Sequence, residues 1–386
     1  MNKVLVVATV ASMIRNFCVN DIKVLQEKYE VHIATNFIFG STNSKESIDE
    51  FKHDLESRNI ICHQVDFTRS LSNIKKNIKA YTRIKRLIDK ESYEFIHCHT
   101  PIAGAFTRFA IRKGNTPIIY TAHGFHFHKS GPLINWLIYY PIEKYLSKYT
   151  EILITINKED YKLAKEKFKA KLVKYIPGVG IDIRRFCNIN ISKQDKLREL
   201  GIPLDSFIIL SVGELNRNKN HEIIIKALAK INNKQIHYVL CGQGNLKEYL
   251  MNLIKELGLE KQVHLLGFRR DIPEICKISH LFAFPSHREG LGLAAIEAMA
   301  CGLPLITSNV HGIVDYSKTG ETGTTCSPKN INQFVRAILE LYEDPEKRNK
   351  YGVSNMKLAE KYEVTNIEAI MKEIYDLLGE KYETTS

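Results

Sequence analysis

Two glutamates flank a glycine-rich turn in the segment 286–304. Glu289 precedes the glycines at Gly290 and Gly292, and Glu297 lies a little further along the chain. Phosphate oxygens can approach a backbone closely where glycine leaves no side chain, and carboxylates accept hydrogen bonds from hydroxyl groups. These residue types at this spacing predict a site for a diphosphate that carries hydroxyl groups on either side.

The elements around this turn would position both carboxylates. The apolar run 281–285 predicts a buried strand, and residues 294–300 are strong helix formers that Gly302 and Pro304 terminate. A helix N-terminus presents free N–H groups and the positive end of its dipole, both of which attract phosphate. The alternative is an ordinary strand–helix unit with Glu289 in solvent and Glu297 satisfied by a nearby N–H group or lysine.

A second loop supplies cations. The string Ser-Val-Gly-Glu-Leu-Asn-Arg-Asn-Lys-Asn, residues 211–220, follows a predicted strand and contains Gly213, Arg217 and Lys219. Two cations this close could neutralise a leaving diphosphate. The alternative is a solvated basic turn.

Histidines gather after two strands of the first half. His123, His126 and His128 stand in one loop, and His97 and His99 end another predicted strand. Imidazoles at such spacing could bind zinc, but nothing in the sequence around 120–128 adds a carboxylate or thiol at ligand spacing. His97 and His99 could likewise be mistaken for a metal pair. We therefore favour a non-metal role for them.

Apolar runs alternate with helical stretches along the chain in two series separated by a polar segment around 184–197. This pattern predicts two doubly wound parallel sheets. We place the first domain at 1–186 and the second at 187–364.

The amino-terminal apolar run 4–11 is interpreted as a first strand, not a signal peptide. Scattered cysteines without a Cys-x-x-Cys pair are typical of a reduced, cytoplasmic protein.

The string Pro-Ser-x-x-Glu-Gly-x-Gly-x-x-x-x-Glu-Ala-x-Ala-x-Gly-x-Pro, residues 285–304, resembles the donor-site signature of glycosyltransferase family 4. That family comprises retaining enzymes of the GT-B fold, in which two Rossmann-like domains face each other across a deep cleft. The resemblance implies that Glu289 faces the donor sugar, that Glu297 binds the nucleotide ribose, and that Gly290, Leu291, Gly292 and Leu293 bind the diphosphate.

Other segments extend the resemblance over nearly the whole chain. Lys219 matches the phosphate-binding lysine of the family, whereas Glu214 stands where an arginine is usual, which leaves Arg217 as a substitute. His123 matches a histidine beside the donor sugar. Gly242 and Gly244 form a glycine turn after a predicted strand, where open α/β sheets bind ligands. Phe268 and Arg269 lie in a segment that resembles the one by which the family meets the nucleobase; structural packing is an equal alternative.

The last stretch of chain predicts an amphipathic helix. Thr365 and Glu368 have capping-box spacing, and an apolar stripe runs from Ile367 to Leu378. By resemblance, the helix 365–386 packs back on the first domain.

A basic amphipathic helix is predicted between Arg69 and Lys90. Its apolar stripe comprises Leu71, Ile74, Ile78, Tyr81 and Ile84, and its cations recur at helical spacing. With a formal net charge of +12, the chain could use this helix on an anionic membrane surface. Packing of its apolar side on the sheet is an equal alternative. We find no nucleic-acid-binding motif.

The variants at 97–101, 121–127 and 136–141 resemble the capsule and exopolysaccharide branch of the family, which extends polyprenyl-diphosphate-linked glycans. We therefore expect a cytoplasmic glycosyltransferase, peripheral on the inner face of the plasma membrane, that uses a UDP-sugar carrying a hexose or N-acetylhexosamine. No Asp-x-Asp is present, so we expect no metal and no cofactor. The alternative is an inactive sugar-nucleotide-binding subunit; a NAD-dependent oxidoreductase is disfavoured because no Gly-x-Gly-x-x-Gly opens a helix.

Overall fold

The computed structural model describes residues 1–39, 44–70, 73–129, 131–187 and 189–383. It divides into two compact units. The first comprises Met1–Gly180 and Val364–Ser386, and the second comprises Ile181–Glu363. Residues 181–186, which we assigned to the first domain, lie in the second unit.

The first unit contains a seven-stranded parallel sheet in the order β3-β2-β1-β4-β5-β6-β7. Its strands are β1 (Lys3–Val10), β2 (Glu30–Asn36), β3 (Ile61–Gln64), β4 (Tyr93–His99), β5 (Ile118–Ala122), β6 (Ile152–Thr155) and β7 (Leu172–Tyr175). Its helices are α1 (Ala11–Phe17), α2 (Val19–Gln26), α3 (Lys45–Ser57), α4 (Ile74–Lys90), α5 (Pro101–Ala110), α6 (Leu133–Leu146) and α7 (Lys158–Lys167).

The second unit contains a six-stranded parallel sheet in the order β10-β9-β8-β11-β12-β13. Its strands are β8 (Phe207–Val212), β9 (Ile236–Cys241), β10 (Val263–Gly267), β11 (Leu281–Phe284), β12 (Leu305–Ser308) and β13 (Gly323–Cys326). Its helices are α8 (Arg184–Cys187), α9 (Lys193–Glu199), α10 (Glu222–Ile231), α11 (Lys247–Glu256), α12 (Ile272–Ile278), α13 (Leu293–Ala300), α14 (Ile331–Glu343) and α15 (Pro345–Ala359).

The central strands of both sheets are buried on both faces, as their continuous apolar runs require. Strand order reverses between β1 and β4 in the first sheet and between β8 and β11 in the second. Open α/β sheets bind ligands at the carboxyl ends of strands beside such a reversal. The expectation of two doubly wound parallel sheets is confirmed, and the loops after β8 and β11 are the ones that carry the predicted phosphate site.

The chain ends in α16 (Val364–Glu383), whose apolar stripe is buried and which packs on α2 within the first unit. The predicted capping box is wrong. The helix begins before Thr365, whose side chain is exposed, and Glu368 pairs with Lys23 at 2.8 Å instead of returning to the first turn. The carboxylate of Glu368 therefore forms a tertiary ion pair instead of the local hydrogen bond of a capping box.

The predicted basic helix forms as α4, and its predicted apolar stripe is only partly buried. Ala80 and Ile84 are buried in the core of the first unit, whereas Ile78 is exposed. Leu71 lies outside the described residues. No helix of the described chain is long and apolar enough to cross a bilayer.

Candidate active site

The glycine-rich turn after β11 leads directly into α13. Gly292 occupies the N-cap with φ +96°, a left-handed conformation that suits glycine. A Cβ there would lie 2.5 Å from the ring of Phe284 and 3.1 Å from the hydroxyl of Tyr316. Leu291 is buried and anchors the turn. Of the first N–H groups of α13, that of Ala295 donates to the carbonyl of Gly292 at 3.0 Å. Those of Leu293 and Ala294 precede the first i-to-i−4 hydrogen bond of the helix, so this turn can bind an anion through its backbone.

Lys219 and Glu289 form an ion pair within the second unit. The Nζ of Lys219 lies 2.6 Å from Oε1 of Glu289, and the two side chains are only 19% and 12% exposed. The ammonium also lies 4.9 Å from the centre of the Phe284 ring. The structure therefore brings together the cation of one predicted motif and the first carboxylate of the other, beside the turn that precedes α13.

Asparagine side chains join the two loops. Asn218 donates from Nδ2 to the main-chain carbonyl of Arg288 at 2.9 Å. The main-chain carbonyl of Asn218 accepts a hydrogen bond from the N–H of His287 at 2.8 Å. Asn220, at φ +57°, donates to the carbonyl of Pro285 at 3.0 Å. Sequence reasoning missed these residues, although the paired asparagines beside Lys219 were the available signal. They fix the position of Lys219 relative to Glu289.

The glycines after β8 and β9 allow backbone to meet backbone. A Cβ on Gly242 would overlap the carbonyl oxygen of Gly213 at 1.8 Å, and one on Gly244 would lie 2.4 Å from the carbonyl oxygen of Leu215. The N–H of Leu215 donates to the carbonyl of residue 243 at 2.9 Å. Gly242 and Gly244 are therefore needed because the loop that carries Lys219 packs directly against their backbone.

Arg217 lies on a different part of the same loop. Its exposed side chain lines a cavity of about 550 Å³ together with Glu222, Tyr249 and His287. Glu214, which replaces the usual arginine, is also exposed. The structure thus holds Lys219 against Glu289, whereas Arg217 faces the cavity.

Phe268 and Arg269 follow β10, after Gly267. Phe268 is 67% exposed. Arg269 is held by Asp271, with Nε 2.8 Å from Oδ1, and by Glu199, with Nη2 2.8 Å from Oε1. The hydrogen bond from Arg269 is the main cause that lowers the pKa of Asp271 to about 2. Arg269 thus holds this loop in place, while the aromatic ring of Phe268 is accessible.

Glu297 lies half-buried on α13, one turn beyond its start. Burial raises the pKa of this carboxyl above its usual range, and the positive charge of Arg185 on α8 opposes part of that rise. A half-buried carboxylate of this kind is suited to accept hydrogen bonds from a ligand's hydroxyl groups.

In the first unit, His123 belongs to a buried chain of polar groups. His123 Nε2 lies 3.1 Å from His99 Nδ1, and His99 Nε2 lies 3.7 Å from Oδ2 of Asp21. Burial lowers the pKa of His123 to about 4 and that of His99 well below its usual range, and it raises the pKa of Asp21 to about 7. Both imidazoles are therefore neutral at pH 7, and one must donate while the other accepts. Sequence reasoning missed Asp21, which carries no motif.

The first unit also contains one candidate metal group among its described residues, formed by Asp21, His97 and His99. Both nitrogens of His97 are already occupied: Nδ1 lies 2.9 Å from the hydroxyl of Tyr375, and Nε2 lies 2.8 Å from Oγ1 of Thr121. A metal would have to break one of these hydrogen bonds, so the group is better suited to a structural role. His126 and His128 do not join it.

A strained residue marks the strand reversal of the first sheet. Thr100, at the end of β4, has φ +69°, and its hydroxyl lies 2.6 Å from that of Thr9 at the end of β1. Non-glycine residues at positive φ are costly and concentrate at functional sites. Sequence reasoning placed no site residue here.

The loops of the second unit can stabilise a diphosphate on which negative charge develops during a reaction. An ammonium and helix N-terminal amides that are already positioned act on developing charge without reorganising. Fold and site together define the class: a GT-B glycosyltransferase.

Comparison with known proteins agrees with this class. The family described as Glycosyl transferases group 1 matches residues 192–357, and the family described as Glycosyl transferase 4-like matches residues 3–157. The chain is 36% identical over 307 residues to EpsD of Bacillus subtilis (strain 168), to which a glycosyltransferase activity is provisionally ascribed; the match covers 78% of this chain and 81% of EpsD.

The chain is also 32% identical to the Escherichia coli UDP-Gal:alpha-D-GlcNAc-diphosphoundecaprenol alpha-1,3-galactosyltransferase, over 72% of this chain and 73% of that protein. Among solved structures, Anabaena Alr3699/HepE in complex with UDP and glucose superposes with a TM-score of 0.79 at 21% identity, over 97% of this chain and 100% of that one. The chain belongs to the family 4 glycosyltransferases of the GT-B fold.

Proposed function

We propose that this protein transfers a sugar from a UDP-sugar to a lipid-linked glycan acceptor during surface polysaccharide biosynthesis, with retention of configuration at the anomeric carbon. The sugar would be a hexose or an N-acetylhexosamine. The observation that carries the proposal is the Lys219–Glu289 pair, 2.6 Å apart beside the start of α13. The galactosyltransferase of Escherichia coli, whose name specifies UDP-Gal and a diphosphoundecaprenol-linked acceptor, supports the choice of substrates.

Each residue of the site has a proposed role. Breaking the anomeric C–O bond places negative charge on the diphosphate while the sugar becomes oxocarbenium-like, so groups that bind this charge favour the transition state. Lys219 would bind the diphosphate, with Arg217 as a second cation, and the backbone of 290–293 would bind it through N–H groups. Glu297 would bind the ribose.

The donor sugar would be positioned by Glu289 and His123. No side chain of the proposed site is an obvious nucleophile for the far face of the sugar, so we favour attack of the acceptor hydroxyl from the face that the diphosphate leaves, with a phosphate oxygen receiving its proton. Gly213, Gly242 and Gly244 would hold the diphosphate-binding loop, and Phe268 and Arg269 would meet the nucleobase largely through their backbone.

Transfer without a metal ion is part of the proposal, since the sequence contains no Asp-x-Asp and the proposed charge-stabilising groups are an ammonium and amides. Activity should therefore survive an excess of EDTA.

We also propose that the protein works on the inner face of the plasma membrane, at an anionic lipid surface, in capsule or exopolysaccharide synthesis.

The second candidate function is an inactive sugar-nucleotide-binding subunit of a polysaccharide assembly, which the exposed Glu214 in place of the usual arginine favours. A panel of UDP- and GDP-sugars, each offered with polyprenyl-diphosphate-linked glycans, separates the two. We expect at least one UDP-sugar to give acceptor-dependent release of UDP. Nucleotide binding without turnover for every pair would instead establish the binding protein.

A further inference from the structure

The helix α6 exposes an apolar face that nothing in the described chain covers. Its outward side carries six large apolar or aromatic side chains, of which Leu133 is 80% exposed and Leu137 is 72% exposed. The full set is Leu133, Ile134, Leu137, Ile138, Ile142 and Tyr145, and we refer to it as the α6 face. Scattered exposed apolar residues are ordinary, but a contiguous group on one helix marks an interaction site.

The opposite side of the helix is firmly packed. Trp136 and Tyr140 contact Phe127 with ring centroids 5.5 Å apart, and Leu146 is buried. The indole N–H of Trp136 donates to the carbonyl of His128 at 3.1 Å. The α6 face therefore belongs to a helix whose other side is already packed in the core of the first unit.

Charge in the segment that contains the α6 face is mostly positive. Residues 101–150 contain six basic side chains and a single acidic one, Glu143. Glu143 is buried and pairs with Arg108 at 2.8 Å, so it offers no negative charge to the surface. The cations left over are Arg112, Lys113, Lys129, Lys144 and Lys148.

The neighbouring helices extend this basic surface. The helices α4, α5 and α6 pack side by side on one face of the first sheet, because all three contribute to the same core. The exposed cations of α4 include Lys75, Lys76, Lys79, Arg83 and Arg86. Two of them, Lys79 and Arg83, pair with Asp66 at 3.8 and 3.4 Å. The outer surface of this layer thus combines an apolar face on α6 with positive charge on its neighbours.

We propose that the α6 face inserts into the headgroup region of an anionic lipid bilayer, with the helix lying parallel to the membrane plane. Interfacial helices bind through apolar area on one side and attraction between lysine or arginine and anionic lipid. A symmetric contact through the α6 face would bring Lys144 and Lys148 of two copies together, and the one acid of residues 131–150, Glu143, is buried, so charge complementarity favours lipid. The membrane as partner rests on the proposed use of a lipid-linked acceptor. The identification of the α6 face as an interaction surface rests only on its exposure and charge.

Flotation with phosphatidylcholine vesicles, with and without phosphatidylglycerol, tests the proposal. The change is Leu133→Ser with Leu137→Ser, and the control is Leu204→Ser with Met251→Ser, two exposed apolar residues of the second unit. We expect the wild type and the control to bind only vesicles that contain phosphatidylglycerol, and the α6 variant to bind at least about tenfold more weakly. Trp136 is the only tryptophan, so quenching of its fluorescence by brominated lipid reports insertion of α6 directly.

Two results would overturn the proposal. One is flotation of the α6 variant equal to that of the wild type; the other is a wild-type dimer in vesicle-free buffer that the α6 variant converts to a monomer. If the serine variant proves unfolded by circular dichroism, Lys144→Glu with Lys148→Glu must also weaken flotation. UDP affinity should be unchanged in both variants. Failure of the donor panel would leave vesicle binding intact, so the two proposals fail separately.

Discussion

The ion pair between Lys219 and Glu289 means that the cation proposed to bind diphosphate is already bound to a carboxylate. Incoming phosphate must compete with Glu289 for the ammonium. A mostly buried pair loses much of its stabilisation when either partner is removed alone, because the other charge stays behind. The two residues should therefore affect binding and turnover differently.

We expect Lys219→Ala to weaken UDP binding and to lower turnover by at least about tenfold, or roughly 1.4 kcal/mol of barrier. Glu289→Gln should lower turnover by a similar factor but leave UDP affinity equal or higher, because the competing carboxylate is gone. Calorimetric UDP titration and UDP-release rates measure the two effects. Lys226→Ala removes a partly exposed cation of α10 that pairs with Glu222, and serves as the charge-matched control.

That control should behave as the wild type. Turnover of Lys219→Ala and Glu289→Gln equal to that of the wild type would remove both residues from the mechanism. Equal losses of UDP affinity in both variants would show that the pair acts only as structure.

Single residues were predictable from the sequence where a motif named them, but their partners were not. Lys219 and Glu289 came from two separate strings, and nothing in either string indicated the 2.6 Å contact. Asp21 reaches His99 from a helix that carries no motif. Such contacts depend on the fold bringing distant segments together, which local spacing does not encode.

At the scale of elements, periodicity predicted strands well because parallel strands are buried on both faces and appear as apolar runs. The strand β13 (Gly323–Cys326) has no apolar run that would predict it, because it is short, lies at the sheet edge and carries two threonines. The sequence pattern indicated α4 as a candidate membrane-facing helix, and the present proposal places α6 at the membrane as well. Helix α4 has the stronger amphipathic pattern, whereas α6 is apolar on both sides, and only packing shows which side stays exposed.

Gly292 tests how the turn before α13 is built. Gly292→Ala places a Cβ 2.5 Å from the Phe284 ring at φ +96°, so we expect it to lower the free energy of unfolding by about 2 to 4 kcal/mol and to weaken UDP binding. Gly320→Ala, at φ +86° with nothing within 4 Å, should cost only about 1 to 2 kcal/mol. Urea unfolding followed by circular dichroism measures both.

The comparison isolates the clash from the backbone strain, because both glycines are left-handed. Equal destabilisation would show that the Phe284 ring moves freely. Unchanged UDP affinity in Gly292→Ala would argue that the turn does not bind phosphate.

For the whole molecule, buried histidines predict sensitivity to acid. In the first unit, burial lowers the pKa of His97 to about 3 and that of His123 to about 4, against about 6.5 in the unfolded chain. Between these values only the unfolded state binds the proton. The stability they contribute is present above about pH 6.5 and is lost as the pH falls, by up to about 1.4 kcal/mol per pH unit for each histidine.

Asp21 acts in the opposite direction. Burial raises its pKa to about 7, so between about pH 4 and 7 only the folded state holds its proton, and lower pH favours folding. We expect the urea midpoint of the first unit, followed by Trp136 fluorescence, to fall between about pH 7 and pH 5. Asp21→Asn should make that fall steeper, and a midpoint independent of pH, or a shallower fall in Asp21→Asn, would contradict the assignment.

The central claim is that the diphosphate of a nucleotide-sugar is bound by Lys219 and by the backbone of 290–293. Crystals soaked in UDP test it most directly. We predict phosphate density within hydrogen-bonding distance of Lys219 Nζ and of the N–H groups that precede α13, with Lys219 turned away from Glu289. UDP bound elsewhere, with the Lys219–Glu289 pair intact, would contradict the account.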